Sequence, residues 1–440
     1  MPKFRTKEAT KLFYYLTKDI KLDFLNTSIV YITEITLNVS SDCNLACRYC
    51  FASAGHYSYS KLENMNFEDT KKAIDEIINK YNYNDSRLLV KFFGGEPILN
   101  FKLIEKVVNY FKELKENNKI KYLPKYIIIT NLTLVNDKII KFLNKNKFDI
   151  VVSLDGPENI NDKARIFRNN LGTFKIIDKN LQKLIKDIDI DHITIEAVYS
   201  PIHLEQNISM LFIYKFFYNK YGIYNVAISP LTKVGQGNEF LKMFSDDLLR
   251  LYEEKIYDMA FELGRYMAYL FAEGAKIMEI YNFIKKIIIN KRSLNSHCTA
   301  GFNNVTIMPN GDIYPCYMLS YDNRFYMGNI KEGLINTKTI GVRNFLKDIN
   351  IKTKIDQCKM CDIMKICNAC LGHIDFAKNG KITVDNYTCN YNLGLYEGIL
   401  AALNDIIADD ILWEKFKHQL RKMKDIEDMK DEENHLVGDI

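Results

Sequence analysis

The chain has 440 residues, of which 47% are apolar and 26% charged, and its formal net charge is +5. A chain of this length can bury a large core, and the length predicts two or three domains. Lys and Arg are interspersed with Asp and Glu, which gives nucleic-acid binding no support. No apolar run is long enough to span a bilayer, and no signal segment is evident. We therefore expect a cytoplasmic protein with no nucleic-acid or membrane partner.

Residues 1–30 form an N-terminal extension with a short helical pattern, from Thr10 to Leu16. From residue 31 to residue 235, short β-rich apolar runs alternate with helical periodicity. The predicted strands are Tyr31–Val39, Arg87–Phe93, Lys125–Thr130, Asp149–Leu154, His192–Tyr199 and Tyr224–Ser229. The predicted helices between them are Phe67–Tyr81, Phe101–Phe111, Lys138–Leu143, Phe174–Ile185 and Asn207–Tyr218. This alternation predicts an α/β fold, a partial (β/α)6 barrel of the TIM type.

The pattern changes after the predicted barrel. Residues 236–297 predict a helical linker, with helices at Ser245–Leu263 and Ile277–Ile289. Residues 298–390 predict a small cysteine-rich α+β domain that opens with a β-hairpin around Asn310-Gly311, its strands at 305–308 and 313–318. Residues 391–440 predict a helix at Leu393–Leu412, followed by a charged, frayed tail from Lys422.

Ten cysteines stand in three groups along the chain. They are Cys43, Cys47 and Cys50, then Cys298 and Cys316, then Cys358, Cys361, Cys367, Cys370 and Cys389. Thiolates at short intervals are soft ligands for iron–sulfur clusters or zinc. Disulfides suit small secreted chains and are disfavoured here. A structural zinc site takes four ligands, which argues against zinc at the first trio, but zinc stays open for the later cysteines because their CxxC pairs are its usual signature.

Polar and glycine motifs follow the first four predicted strands. The early cysteines come after the first strand, Gly94-Gly95-Glu96 after the second, Asn131 after the third, and Ser153-Leu154-Asp155 closes the fourth. The carboxyl ends of barrel strands carry the chemistry in such folds, so we expect these residues to meet in one site. Each motif alone is also compatible with an ordinary turn or an exposed polar surface.

The Cys43-x3-Cys47-x2-Cys50 spacing, together with the Gly-Gly-Glu-Pro turn, resembles the radical S-adenosylmethionine (SAM) enzymes. In that family, three cysteines hold a [4Fe–4S] cluster whose fourth iron chelates the amino and carboxylate groups of SAM. The resemblance implies that the cofactor is cleaved to a 5′-deoxyadenosyl radical, which abstracts hydrogen from an unactivated carbon.

The same resemblance implies roles for polar residues around the cluster. Gly94, Gly95 and Glu96 would meet the methionine amine, Ser153 and Asp155 the carboxylate and ribose, and Arg165 the carboxylate, with Arg168 as its competitor. Tyr49 would lie beside the adenine or serve as simple core packing. Asn131 would belong to a Thr-Asn-Gly turn, in which Leu132 here replaces the glycine.

The late cysteines resemble the SPASM extension, which carries auxiliary iron–sulfur clusters. The resemblance implies one cluster on Cys358, Cys361, Cys367 and Cys389, and another on Cys298, Cys316 and Cys370. Cys370 stands one residue earlier than is usual in that family, and the chain has no eleventh cysteine. The second set is therefore one thiolate short, so that its fourth iron is either open or capped by His297. Altogether the resemblance implies SAM and three [4Fe–4S] clusters.

The segment Cys50–His56 resembles maturases that join a cysteine sulfur to carbon in ribosomal peptides. The leading hypothesis is therefore a thioether-forming peptide maturase, an oxidoreductase acting on a cysteine-containing precursor peptide. It would need a low-potential electron donor of the flavodoxin or ferredoxin type and, since the chain has little room for a leader-recognition domain, a separate recognition protein or leader binding by the barrel. The alternatives are an anaerobic sulfatase-maturating enzyme that forms formylglycine, and a metal-stabilised binding module without catalysis. No side chain is predicted as a catalytic acid or base.

Overall fold

The fold is built around a mostly parallel sheet in a computed structural model that describes residues 3–23, 32–56, 62–80, 88–233, 236–290, 292–376 and 382–436. The strands are β1 Lys21–Asp23, β2 Glu34–Ser40, β3 Leu89–Gly94, β4 Lys125–Thr130, β5 Asp149–Ser153, β6 Ile193–Tyr199, β7 Val226–Pro230, β8 Arg292–Leu294, β9 Asn304–Ile307, β10 Ile313–Tyr314, β11 Ile374–Phe376 and β12 Ile382–Val384. Strands β2 to β7 pair in sequence order, each parallel to the next.

This arrangement confirms the prediction of six parallel strands with intervening helices. The strand ends differ from the predicted ones by a few residues, and Tyr31, Arg87 and Tyr81, which bound predicted elements, lie outside the described residues. The full sheet has the order β10-β9-β2-β3-β4-β5-β6-β7. Because β7 and β10 are not paired with each other among these residues, the sheet is open, as expected of a partial barrel.

The helices cover the outer face of the sheet and form the C-terminal layer. They are α1 Lys7–Thr17, α2 Phe67–Lys80, α3 Phe101–Glu116, α4 Asp137–Lys145, α5 Glu158–Ala164, α6 Phe174–Asp187, α7 Pro201–Glu205, α8 Met210–Tyr221, α9 Gln236–Leu241, α10 Asp246–Ala272, α11 Met278–Ile284, α12 Thr337–Ile349, α13 Asp356–Lys359, α14 Asn386–Ala408 and α15 Asp410–Leu436. Helix α11 continues as a π-helix from Lys285 to Asn290. Among the described residues, no helix combines the length and the apolar character that crossing a membrane requires.

The predicted hairpin forms β9 and β10 and extends the barrel sheet. Strand β9 pairs parallel with β2, with Ile35 opposite Val305, so the cysteine-rich region joins the barrel through backbone hydrogen bonds. Gly311 takes a φ of 87° in the turn, which a glycine adopts without steric cost. The second strand ends at Tyr314 rather than at residue 318, because Pro315 has no N–H to continue the ladder.

The C-terminal helices correct two predictions. Helix α14 begins before Cys389, at Asn386, where the Asp385 side chain accepts a hydrogen bond from the backbone of Thr388 at 3.0 Å. The predicted helix Leu393–Leu412 is broken at Asp409, whose side chain caps α15 through the N–H groups of Ile411 and Leu412. The predicted frayed tail is helical as far as Leu436.

Helices α10 and α14 pack unusually close together. A Cβ on Gly264, Gly394 or Gly398 would overlap a backbone carbonyl oxygen of the facing helix. The buried carboxylate of Glu397, on the same helix α14, accepts hydrogen bonds from the backbone of Arg5 at 2.9 Å and of Thr6 at 2.7 Å. The N-terminal helix is therefore fixed to the core through α14.

Candidate radical SAM site and auxiliary cysteine groups

The loop after β2 brings Cys43, Cys47 and Cys50 together. Burial raises the pKa of Cys43, and the neighbouring Glu96, Cys47 and Cys50 raise it further. Burial also raises the pKa of Cys47 to about 12, while the nearby Arg165 lowers it. Three thiols that share one loop and repel each other's charge form a donor set that a cationic iron centre would satisfy.

The two glycines after β3 allow this cysteine loop to pack against the sheet. A Cβ on Gly95 would overlap the carbonyl of Asp42 and lie 3.0 Å from the Cβ of Cys43, and one on Gly94 would overlap the carbonyl of Ser40. The N–H of Gly95 donates to the Ser40 carbonyl at 2.8 Å. In the structure, the close approach that these glycines permit is therefore to the cysteine loop itself.

Glu96 is buried at the same edge, with 1% of its surface exposed. Its carboxylate accepts hydrogen bonds from the Thr130 hydroxyl at 2.7 Å, the Asn131 N–H at 2.8 Å and the Ile98 N–H at 3.1 Å. A carboxylate has about four acceptor positions, so roughly one stays available to a ligand. Burial raises the pKa of Glu96 to about 7, against the lowering effect of these hydrogen bonds.

Leu132 occupies a left-handed backbone position in the turn after β4, where the resemblance predicted a glycine. Leu132 adopts a φ of 61°, in the left-handed region, and its side chain is fully buried. The Asn131 side chain donates to the Asn44 side chain at 3.0 Å and lies 3.8 Å from the Cys43 sulfur. Core packing of the leucine thus compensates for a backbone conformation that favours glycine.

Asp155, Arg165 and Tyr49 form one buried network beside the cysteine loop. Asp155 accepts hydrogen bonds from the Arg165 guanidinium at 3.0 Å, from the Val198 N–H at 3.0 Å and from the Tyr49 hydroxyl. Arg165 lies 4.0 Å from the Cys47 sulfur and 5.5 Å from the centre of the Tyr49 ring. Asp155 therefore holds the other two side chains in position. Arg168, the predicted competitor of Arg165, is half exposed and pairs with Asp42.

Ser153, the last residue of β5, lies opposite Glu196 in the middle of β6. The inward positions of the sheet also carry Lys91 and Glu34, which form an ion pair at 2.7 Å. Burial raises the pKa of Glu196, which Asp155 raises further and Arg165 and Lys91 lower. These charged side chains on the inner face of the sheet were not predicted from the sequence, although a lysine inside an otherwise apolar parallel strand is a recognisable signal.

Four of the late cysteines line one small cavity: Cys358, Cys361, Cys367 and Cys389. Burial raises the pKa of Cys389, and the other three thiols raise it further. Side-chain amides face the sulfurs: Gln357 Nε2 lies 3.3 Å from Cys389, and Asn392 Nδ2 lies 3.9 Å from Cys367. This is the grouping that the sequence predicted for one auxiliary cluster.

The remaining three, Cys298, Cys316 and Cys370, form a separate group. Burial raises the pKa of Cys316, and Cys370 and Cys298 raise it further. Tyr317, next in the chain, packs its ring 4.4 Å from that of Phe93 on β3, centre to centre. The three-cysteine group therefore borders the inner face of the barrel sheet.

His297 lies against the four-cysteine group rather than the three-cysteine group. Its Nε2 is 3.8 Å from the Cys358 sulfur, and the ring lines the same cavity as the four thiols. Burial lowers the pKa of His297 to about 4. Of the two alternatives left open by the sequence, this geometry favours an uncapped three-cysteine group. Within the described ranges, no three His, Cys, Asp or Glu side chains converge on a single-ion site.

Comparison with known proteins identifies the fold and its cofactors. Residues 37–208 match the Radical SAM superfamily, and residues 298–362 match SPASM, an iron–sulfur cluster-binding domain. The chain belongs to the radical SAM superfamily. As a member with a SPASM domain, it is an enzyme that binds SAM and iron–sulfur clusters, and the thiol-rich sites described above fit such clusters.

Two curated relatives cover most of this radical SAM chain. The Radical SAM cyclopropyl synthase TigE of Paramaledivibacter caminithermalis is 25% identical over 405 residues, 86% of this chain and 76% of its own. The Cysteine-type anaerobic sulfatase-maturating enzyme of Clostridium perfringens (strain 13 / Type A) is 26% identical over 376 residues, 80% of this chain and 91% of its own.

A solved structure supports the fold. The structure of native anSMEcpe with bound AdoMet and Cp18Cys peptide has a TM-score of 0.61 and 20% sequence identity, covering 85% of this chain and 98% of that chain. At this identity, the likeness establishes the shared architecture.

Proposed function

We propose that this radical SAM enzyme is a peptide maturase that forms a thioether between a cysteine sulfur and a carbon of a ribosomally synthesised peptide. Three [4Fe–4S] clusters would serve it: one on Cys43, Cys47 and Cys50, and two on the auxiliary groups. A cytoplasmic precursor peptide, a low-potential electron donor of the flavodoxin or ferredoxin type and a separate leader-recognition protein complete the proposal.

The observation that carries the proposal is the incomplete three-cysteine group at the inner face of the barrel. The four other late cysteines all line a different cavity, and His297 lines that cavity with them. An iron site with one open position can bind a substrate thiolate and lower the pKa of the thiol. Tyr317 joins this group to Phe93, and its ring centre lies 6.1 Å from that of Phe51, directly after Cys50.

A surface cleft gives a peptide access to this group. The cleft, about 580 Å³, lies between the end of β7 and the cysteine-rich region, and its lining includes Lys233, Arg324, Tyr387 and Gly372. A Cβ on Gly372 would lie 3.5 Å from the Cys370 sulfur. We infer that a cysteine of a peptide bound in this cleft would approach the three-cysteine group past Gly372.

The residues around the first cysteine loop fit the proposed SAM contacts. Glu96, beside Gly94 and Gly95, would accept a hydrogen bond from the methionine amine at its remaining acceptor position. Arg165, fixed by Asp155, would pair with the methionine carboxylate, and Ser153 and Asn131 border the same edge of the sheet. Tyr49 is held by its hydroxyl to Asp155, which places an aromatic ring beside the proposed cofactor position.

Bound SAM supplies a 5′-deoxyadenosyl radical, and the protein must then orient the peptide and exclude water. Overall, the peptide loses one hydrogen atom, taken up as 5′-deoxyadenosine, and one thiol proton. A carbon–sulfur bond would form, and a cluster held by Cys298, Cys316 and Cys370 would supply the acceptor for the remaining electron. The product is therefore lighter than the substrate by two hydrogens.

The sulfatase-maturating relative supports a second candidate, oxidation of a cysteine or serine to formylglycine. The deciding experiment incubates cluster-loaded enzyme, reductant and SAM with two peptides, a short cysteine-rich peptide encoded beside the gene and a sulfatase peptide. A product two hydrogens lighter that resists thiol alkylation supports the thioether. Aldehyde formation on the sulfatase peptide alone would replace the proposal with the second candidate.

The number of clusters can be checked by iron analysis. Anaerobically loaded enzyme is expected to be brown and to hold about twelve irons, four for each cysteine group. The variants Cys47→Ala, Cys316→Ala and Cys361→Ala should each lose about four of them, because each removes a ligand from a different group. A colourless protein that contains zinc instead would support a binding module without catalysis.

The contribution of Glu96 to SAM binding is testable by equilibrium dialysis with cluster-loaded enzyme. Glu96→Gln is expected to weaken SAM binding by about 10- to 100-fold, because a hydrogen bond to a charged group contributes about 1.5–3 kcal/mol. Thr130→Val removes one donor but leaves the carboxylate, and it should weaken binding by no more than about threefold. Equal affinities in Glu96→Gln and wild type would remove Glu96 from the site.

A further inference from the structure

Lys352 is a buried cation beside the four-cysteine group. Only 1% of its surface is exposed, and its Nζ donates to the carbonyl oxygen of Leu294 at 2.9 Å. It lines the same cavity as the four thiols. The titratable groups around it are Cys367, Cys358, Lys286 and His297, and in the described part of the chain no carboxylate is among them.

A second lysine approaches the same group from the π-helix. Lys286 donates to the carbonyl of Ile366 at 2.6 Å and to the Asn368 side chain at 2.8 Å, which fixes its ammonium next to Cys367. π-Helical segments often occur at functional sites because they redirect individual side chains. Burying two like charges together is costly unless an anion compensates for them.

The acidic side chains near the four-cysteine group act on residues other than Lys352. Asp385 acts on Cys389, Asp362 on Cys361, and Glu279 on Lys286. None of them is among the groups that face Lys352. The groups around Lys352 that could carry a compensating negative charge are therefore the cysteine sulfurs of its cavity.

The three-cysteine group has a different environment. Backbone N–H groups face sulfurs in both groups, for example that of Ala300 at Cys298 and that of Ile363 at Cys361, so the difference lies in the nearby lysines. The lysine that acts on Cys316 is Lys91, whose charge is paired with Glu34 at 2.7 Å. Among the described residues, a buried lysine on which no carboxylate acts is thus a feature of the four-cysteine side.

We propose that Lys352 is the counter-ion of the iron–sulfur cluster held by Cys358, Cys361, Cys367 and Cys389, and that its charge raises the reduction potential of that cluster. Net charge and hydrogen bonds to sulfur are the main determinants of cluster potentials. A fixed positive charge favours the reduced, more negative cluster. Lys352 is accordingly a positioning and tuning residue, and this inference rests on the proposed three-cluster function.

The test is a redox titration of the cluster-loaded enzyme, followed by electron paramagnetic resonance. In Lys352→Gln, one of the three midpoint potentials should fall so that the ratio of reduced to oxidised cluster at a fixed potential drops about tenfold, which is 59 mV for a one-electron couple. Lys352→Arg keeps the charge and should stay near wild type. The control Lys354→Gln changes a lysine whose side chain is 54% exposed and paired with Asp348, and it should leave all three potentials unchanged.

Unchanged potentials in a Lys352→Gln enzyme with full iron content would overturn the inference. If Lys352→Gln instead loses the iron of one cluster, Lys352→Arg decides: full iron in Lys352→Arg supports a role for the charge, and loss in both variants overturns it in favour of simple packing. Failure of the proposed three-cluster function would look different. In that case the Cys361→Ala variant would hold as much iron as the wild type.

Discussion

Replacing Cys370 with alanine is expected to abolish formation of the thioether product while 5′-deoxyadenosine is still produced from SAM. The thiol of Cys370 belongs to the three-cysteine group, and Gly372, two residues further on, lines the proposed substrate cleft, whereas the proposed SAM site lies on the separate loop of Cys43 to Cys50. Removing this ligand disrupts the proposed acceptor of the substrate sulfur but not the radical source. Chromatography of 5′-deoxyadenosine and mass spectrometry of the peptide measure the two outcomes separately.

Two comparisons sharpen this prediction. Cys47→Ala removes a ligand from the first loop and should abolish both 5′-deoxyadenosine and product. Cys370→Ser retains a weak oxygen ligand and should recover part of the iron and part of the crosslinking. Full crosslinking by an iron-depleted Cys370→Ala enzyme would show that the three-cysteine group does not present the substrate sulfur.

Gly398→Ala is expected to lower the stability of the C-terminal layer, which consists of the packed helices α10, α14 and α15. Its added Cβ would overlap the carbonyl oxygen of Phe261, a backbone atom that cannot move without displacing α10. Overpacking of this kind costs about 1–3 kcal/mol and sometimes more. The unfolding midpoint in urea, measured by circular dichroism on enzyme without clusters, should therefore fall.

A matched control lies in α12. Gly341 is also a helical glycine, but a Cβ there would meet no atom within 4 Å. Gly341→Ala should therefore raise stability by about 0.5–1 kcal/mol, because alanine loses less backbone entropy on helix formation. If both substitutions shift the midpoint in the same direction, close packing is not what requires glycine at position 398.

Periodicity and motif position predicted the parts of this protein that are local in sequence. The six strands, the hairpin at Asn310-Gly311 and the clustering of motifs at the strand ends all follow from patterns within about ten residues. The division of the late cysteines into four and three came from the family resemblance, and the structure brings together the same sets.

Long-range contacts were beyond the sequence. His297 is adjacent to Cys298 in the chain, yet its ring faces Cys358, which is 61 residues away in sequence. Lys352 and Lys286 carry no local signal, since each reaches the cysteines only through tertiary packing. The break at Asp409 was missed because a single capping aspartate is difficult to distinguish inside an apolar helical pattern.

The parallel pairing of β9 with β2 has a consequence for how the enzyme handles its substrate. Since β2 leads directly into the first cysteine loop and β9 leads through β10 to Cys316, the backbone hydrogen bonds between β2 and β9 fix the separation between the two cysteine groups. The two groups therefore cannot move apart without breaking these backbone hydrogen bonds. We accordingly expect the proposed peptide substrate to reach both of them as an extended segment.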